Sequence, residues 1–139
     1  MEPRPGQGAA AAILDDGRLL LVKENYDRRR YSVPGGALEE GENALDAVVR
    51  ETFEETGATV TIDHVIGVYR LENEFTATLF RCVIANDTPA RPDTGEIAEV
   101  AWFGLDEIPQ PRSNLLHHAL EDIVAGRRGV VRVGLPRIN

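Results

Sequence analysis

The segment from Gly41 to Gly57 constrains this chain more than any other, because it carries both a helix start and a helix stop. Asn43 is placed to cap the first turn, with Asp46 three residues on. Gly57 is placed to end the helix in a left-handed conformation. The spacing predicts a helix over Gly41–Thr56. At about 100° per residue, Leu45, Val49, Thr52, Phe53 and Thr56 fall on one side, as a core-facing stripe would. Glu51, Glu54 and Glu55 fall within about 100° of one another on the opposite side. Like charges three and four residues apart repel mildly.

A solvated acidic face is the ordinary fate of such a run. Here, however, the same face carries Ala44, Ala47 and Val48 toward the helix start, which predicts a helix covered on both sides. Carboxylates beside covered surface need compensation. A hard divalent cation with oxygen ligands supplies it, and magnesium suits a few carboxylates plus waters and substrate phosphates. Gly35-Gly36, after Pro34, lets the backbone turn sharply and approach a ligand closely, with carbonyls able to ligate a cation. Arg50 stands four residues before Glu54 and is placed to pair with it, a contact worth little if it lies at the surface.

Around this helix the chain reads as alternating strands and turns. Residues 1–7 read as a loose tail. Strands are predicted over Ala9–Leu14 and Arg18–Glu24, with Asp15-Asp16-Gly17 as the tight turn between them. A charged loop runs over Glu24–Arg30, and Tyr31 to Pro34 is short and extended. Two long strands follow, Thr59–Leu71 and Phe75–Ile84, joined near Glu72-Asn73. Asn86 to Gly95 is a polar loop, Glu99–Phe103 a strand, and Val130–Val133 a short final strand. A second helix is predicted over Asn114–Ala125, with Leu115, Leu116, Ala119 and Ile123 at helical spacing. Hairpins and interleaved helices imply an α/β fold whose sheet is mixed. The 139 residues suit one domain.

The net charge of −8 argues against a general nucleic-acid binder, which would display a basic surface. It leaves room for a phosphorylated small molecule held through cations and a few arginines. Lys23 is the only lysine, all other basic residues being arginine, the side chain suited to bidentate phosphate contacts. Cys82 is the only cysteine, so no internal disulfide forms, and its apolar surroundings read as a buried strand. No apolar run spans a bilayer and the first residues lack a signal-peptide pattern, so a cytoplasmic setting is expected. The oligomeric state stays open, a homodimer included.

Gly36, five residues, Glu42, seven residues, Arg50-Glu51, two residues, Glu54-Glu55, one residue, Gly57: this pattern resembles the Nudix box at every fixed letter. Seven such matches arise by chance in roughly one chain of this size in 10⁵. Thr52 and Ala58 fill slots that are usually aliphatic, a mild departure. The resemblance implies a Nudix-type α/β/α sandwich with a mixed sheet. It implies hydrolysis of a nucleoside diphosphate linked to another group, water attacking phosphorus, with magnesium or manganese as cofactor.

By that resemblance Glu51, Glu54 and Glu55 are metal ligands and Gly35 offers its carbonyl. Glu42 and Arg50 organise the loop and helix, and Glu51 is the first choice of base. Glu96, six residues before Trp102, resembles an extra metal ligand or base of some members; a solvated loop acid is the alternative. Tyr31 matches a position often near the ligand. Arg28, Arg29, Arg30, Arg70 and Arg81 are candidate phosphate contacts, strand parity deciding where the last two point. His64, His117 and His118 show no metal-ligand spacing. Two alternatives remain: an RNA-end or dinucleoside polyphosphate hydrolase, and a sensor that keeps the fold without catalysis.

Overall fold

The computed structural model describes residues 6–72, 75–85, 89 and 95–138. The expected join at Asn73, most of the loop from Asn86, and residues 1–5 of the expected tail lie outside them. The first strand, β1 (Gln7–Asp15), begins earlier than predicted. Gly6 and Gln7 are not loose: their carbonyls accept from the N–H groups of Thr76 and Leu38. Asp16 and Gly17 both take left-handed φ, 51° and 73°, which gives the tight two-residue turn into β2 (Arg18–Glu24).

Two short strands follow, β3 (Tyr31–Ser32) and β4 (Gly35–Ala37). Gly35 and Gly36 therefore do not form a sharp turn; they pair with Ala10 and Ala9 of β1. Their lack of side chains serves close approach instead. A Cβ on Gly35 would stand 2.6 Å from Ala10 Cα, and one on Gly36 would stand 2.6 Å from Glu51 Cδ.

Beyond helix α1 (Ala44–Thr56) come β5 (Val60–Leu71), β6 (Thr76–Ile84), β7 (Ile97–Gly104), α2 (Asn114–Ala125) and β8 (Val130–Leu135). β4, β1, β6, β5 and β8 make a mixed sheet in which β1 runs parallel to β6, and β5 to β8. β3, β2 and β7 make an antiparallel sheet. The two are hydrogen-bonded to each other at the β1–β2 turn, where Leu14 faces Leu19 and Asp15 faces Arg18, and their side chains share both core clusters. The pleat of β1 splits the core. Ala9, Ala11 and Ile13 pack on α1, whereas Ala10, Ala12 and Leu14 face the cluster holding Leu116, Ala119 and Ile123 of α2. Helices on both faces of a mixed sheet make the expected α/β/α sandwich. Cys82 is buried in β6, and burial pushes its thiol up to about 12. No helix among the described residues is long and apolar enough to cross a membrane.

The inward face of α1 differs from the predicted stripe. Asn43 caps it through a bond from the Asp46 N–H, and Gly57 ends it at φ 74°. Yet Leu45 and Phe53 are 52% and 56% exposed, while Ala47, Val48, Thr52 and Thr56 are buried. β1 offers the helix Ala9 and Ala11 beside Ile13. Small side chains on both surfaces bring the backbones close, and that gain outweighs burying the two larger residues elsewhere.

Thr52 carries a fully buried hydroxyl with no hydrogen-bond partner among the described residues. Such a group costs stability. Thr52→Val keeps the shape and removes the orphan, so denaturant unfolding is expected to show a gain of about 1 kcal/mol. A loss of stability would mean the hydroxyl is satisfied in solution.

Candidate active site

The loop before α1 and the last two turns of α1 are joined by Arg50. Its Nε and Nη2 donate to the two oxygens of Glu42, at 2.8 and 2.9 Å, a bidentate pair. Nη1 reaches Glu51 Oε1 at 3.0 Å and Glu54 Oε2 at 3.2 Å, and Nη2 also reaches the Ala37 carbonyl at 3.3 Å. The expected pair with Glu54 is thus one arm of a hub whose strongest arm is Glu42. Arg50 beside it holds the Glu42 carboxyl down to about 2, helped by the loop contact with Glu39.

Glu55 points inward. Its Oε1 accepts from the Gly35 N–H at 2.9 Å. Burial pushes this carboxyl up to about 8; the Gly35 bond opposes the shift, and the charges of Glu51, Glu96 and Glu24 add to it. Glu51, lodged against Gly36, is also pushed up by burial, with Arg50 opposing. Glu24 at the end of β2 is raised for the same reason. Glu55 and Glu51 thus lie against the Gly35-Gly36 backbone, Glu24 lines the same cavity as these glycines, and the charge of Glu96 acts on both helix carboxylates.

The β1–β4 register sets the direction of Gly35. Ladder bonds join Ala11 N to Pro34 O and Leu38 N to Gln7 O, which makes Ala9–Gly36 the bonded pair between them. The N–H and C=O of Gly35 consequently point away from β1, toward the side where Glu55 lies.

A cavity of about 260 Å³ opens beside these glycines. Glu24, Arg30 and Ser32 line it on one side and Leu71, Phe75 and Leu115 on another. The N-terminal end of α2, capped by Ser113, also borders it. Tyr31 does not line it: its ring packs edge-on against Phe103 at 5.5 Å, with Lys23 Nζ 5.1 Å from its centroid. Arg28 and Arg70 are not among the lining residues, and of the three arginines in that loop only Arg30 is. Arg81 borders a second cavity of about 170 Å³ with His64 and Arg127, and donates to the carbonyls of Leu14 and Cys82.

Glu24 and the loop residues Asn25 and Tyr26 were not among the expected site residues. Tyr26 donates to Glu24 Oε2 at 3.4 Å, and burial together with Glu24 pushes its hydroxyl up to about 12. Only the long-range pairing of β2 brings these residues to α1, and the local pattern carries no trace of that.

Among the described residues no three acidic, histidine or cysteine side chains already converge as a ligand cage. Arg50 stands between Glu51 and Glu54, and Glu55 is turned onto Gly35. The donor set nevertheless fits a hard cation: every candidate atom is oxygen, and Glu51 and Glu55 are partly buried carboxylates close to one another.

The NUDIX domain family model matches residues 4–123. A MutT-like protein of Streptomyces ambofaciens is 31% identical over 125 residues, covering 89% of this chain and 79% of that one. Phosphatase NudJ of Escherichia coli strain K12 is 26% identical over 133 residues, covering 90% and 87%. Among solved structures, a MutT NUDIX hydrolase from Burkholderia pseudomallei superposes with a TM-score of 0.79 at 28% identity, covering 86% of this chain and 98% of that one. A NUDIX hydrolase from Nitrosomonas europaea shares the fold at a TM-score of 0.83 and 23% identity, covering 99% and 82%. Matched by the family model over most of its length and sharing the fold of those solved structures, the chain belongs to the Nudix hydrolases, which act on acid anhydrides.

Proposed function

We propose that this enzyme hydrolyses a phosphate anhydride bond in a nucleoside diphosphate linked to another group, using magnesium or manganese. The observation that carries the reading is the partly buried Glu55 carboxylate, held on the N–H of the cavity-lining Gly35, with the charges of Glu51, Glu96 and Glu24 acting on it. Glu51, Glu54 and Glu55, with the Gly35 carbonyl and Glu96, would hold the cation. When bound, the cation shields the diphosphate charge and stabilises the leaving group.

The chain's own residues do the rest. Glu51, its carboxyl raised by burial, takes a proton from the attacking water as the new P–O bond forms. The bridging P–O bond breaks and the leaving phosphate departs. Arg50, anchored on Glu42, keeps Glu51 and Glu54 in register. Arg30 at the cavity wall offers a donor to a phosphate.

The test is turnover by purified protein with magnesium on a panel of nucleoside triphosphates, oxidised nucleotides, ADP-ribose and other sugar nucleotides, and dinucleoside polyphosphates. At least one substrate is expected to release a phosphorylated product, and chelation is expected to stop it. No release from any member would favour a binding module over an enzyme of this specificity.

A further inference from the structure

We infer that Asn25 is a positioning residue that holds Glu96 in the carboxylate cluster. This rests on the proposed reading of that cluster as the cation site. Glu96 belongs to a different stretch of chain from the helix glutamates, yet its charge acts on Glu51, Glu55 and Tyr26. Something must hold the turn that carries it.

Strand pairing alone does not. β7 loses its simple register with β2 at this end: Lys23 faces Glu99, but Glu24 faces Ile97, so Ala98 is an extra residue. Such a bulge re-aims the strand and weakens its ladder, and bulges concentrate beside active sites. Glu96 stands just past it.

Asn25 spans the gap with its polar groups. Its N–H donates to the Glu96 carbonyl at 2.9 Å, and its Nδ2 donates to the Gly95 carbonyl at 3.0 Å. Its Oδ1 accepts from Arg29 Nη1 at 3.1 Å, which orients the amide so that the NH₂ faces Gly95. Arg29 itself sits at a left-handed φ of 53°, and its N–H closes a turn onto the Tyr26 carbonyl at 2.9 Å. One side chain thereby ties the loop after β2 to the turn before β7. The loop also carries Tyr26, whose hydroxyl contacts Glu24. Asparagine combines a short reach with an NH₂ donor for one turn and a separate carbonyl acceptor for the other.

Asn25 is exposed, so Asn25→Ala leaves the core untouched. The measurement is calorimetric titration of the full chain with Mn2+, on wild type, Asn25→Ala, Glu96→Gln and the double variant, with thermal melts alongside. Partners that orient metal ligands change affinity by about 10- to 100-fold. Asn25→Ala is expected at about tenfold, the lower end, because the backbone bond to Glu96 survives. In the Glu96→Gln background the same change is expected to do nothing further, since both act through one carboxylate. Unchanged Mn2+ affinity in a folded Asn25→Ala protein overturns the inference. So does a full additional loss in the double variant, which would mean Asn25 acts elsewhere. Turnover is read separately: a wild type that binds Mn2+ but hydrolyses no member of the panel overturns the proposed reaction and leaves the role of Asn25 standing.

Discussion

Glu55→Gln is expected to lower magnesium-dependent turnover by about a hundredfold or more while the protein stays folded. The amide oxygen can still accept from the Gly35 N–H, so the local contact survives. What is lost is a carboxyl that can ionise to hold a cation. The stability of the metal-free protein separates this from mere unfolding. The folded-state value of Glu55 is about 8, above the roughly 4.3 of an unfolded glutamate. A carboxyl raised in this way contributes stability that is fully present below the unfolded value and is lost as pH rises through the folded one. Metal-free wild type is therefore expected to lose stability between pH 5 and pH 8 more steeply than Glu55→Gln. Thermal melts in chelator across that window check the sign. Undiminished turnover would remove Glu55 from the site, and parallel melting curves would mean that its carboxylate is not strained in solution.

Asp122→Ala is expected to lose about 3 kcal/mol of stability. The Asp122 side chain is 1% exposed and spends both oxygens. Oδ1 accepts from Arg127 Nη1 at 2.9 Å and Arg132 Nη2 at 2.7 Å; Oδ2 accepts from Tyr69 Oη and Arg132 Nε, both at 2.8 Å. Removing it strands a buried tyrosine hydroxyl and two guanidinium groups. Both arginines are 41% exposed and can turn to water, which keeps the figure at the low end of the range for broken buried pairs. Arg132 above all holds the Asp122 carboxyl far below the usual carboxylate range. Its contribution is thus complete above about pH 4 and fades as pH falls toward the depressed value, so the gap between wild type and Asp122→Asn should narrow in acid. Urea unfolding at pH 7 and pH 3 measures both effects. A loss below 1 kcal/mol at pH 7 would show that the network is replaceable by water. The network joins α2 to β5 and β8, and the far end of α2 borders the cavity.

Local chemistry accounts for the features legible in the sequence. The Asn43 cap, the Gly57 stop, the Asp16-Gly17 turn and the span of α2 depend on neighbours within a few residues, and each stands where it is expected. The same holds for the spacing of Glu51, Glu54 and Glu55, since the helical repeat puts them side by side whatever the rest of the chain does.

Facing and partnership are a different matter. By size, Leu45 and Phe53 suit the buried stripe of α1; the alanines of β1 reverse that by rewarding the closest approach, and so turn Glu51 and Glu55 inward. Gly35 and Gly36 read as a turn and form a strand, because β1 is there to pair with them. Arg50 finds Glu42, eight positions away, and Tyr31 turns from the cavity onto Phe103. The carboxylate helix of Gly41–Gly57 is thus determined by the sequence alone, through contacts a few residues long. Which of its faces turns inward, and that Asn25 ties the loop after β2 to the turn carrying Glu96, is decided only by tertiary structure, because strand pairing and packing join residues that no local rule connects.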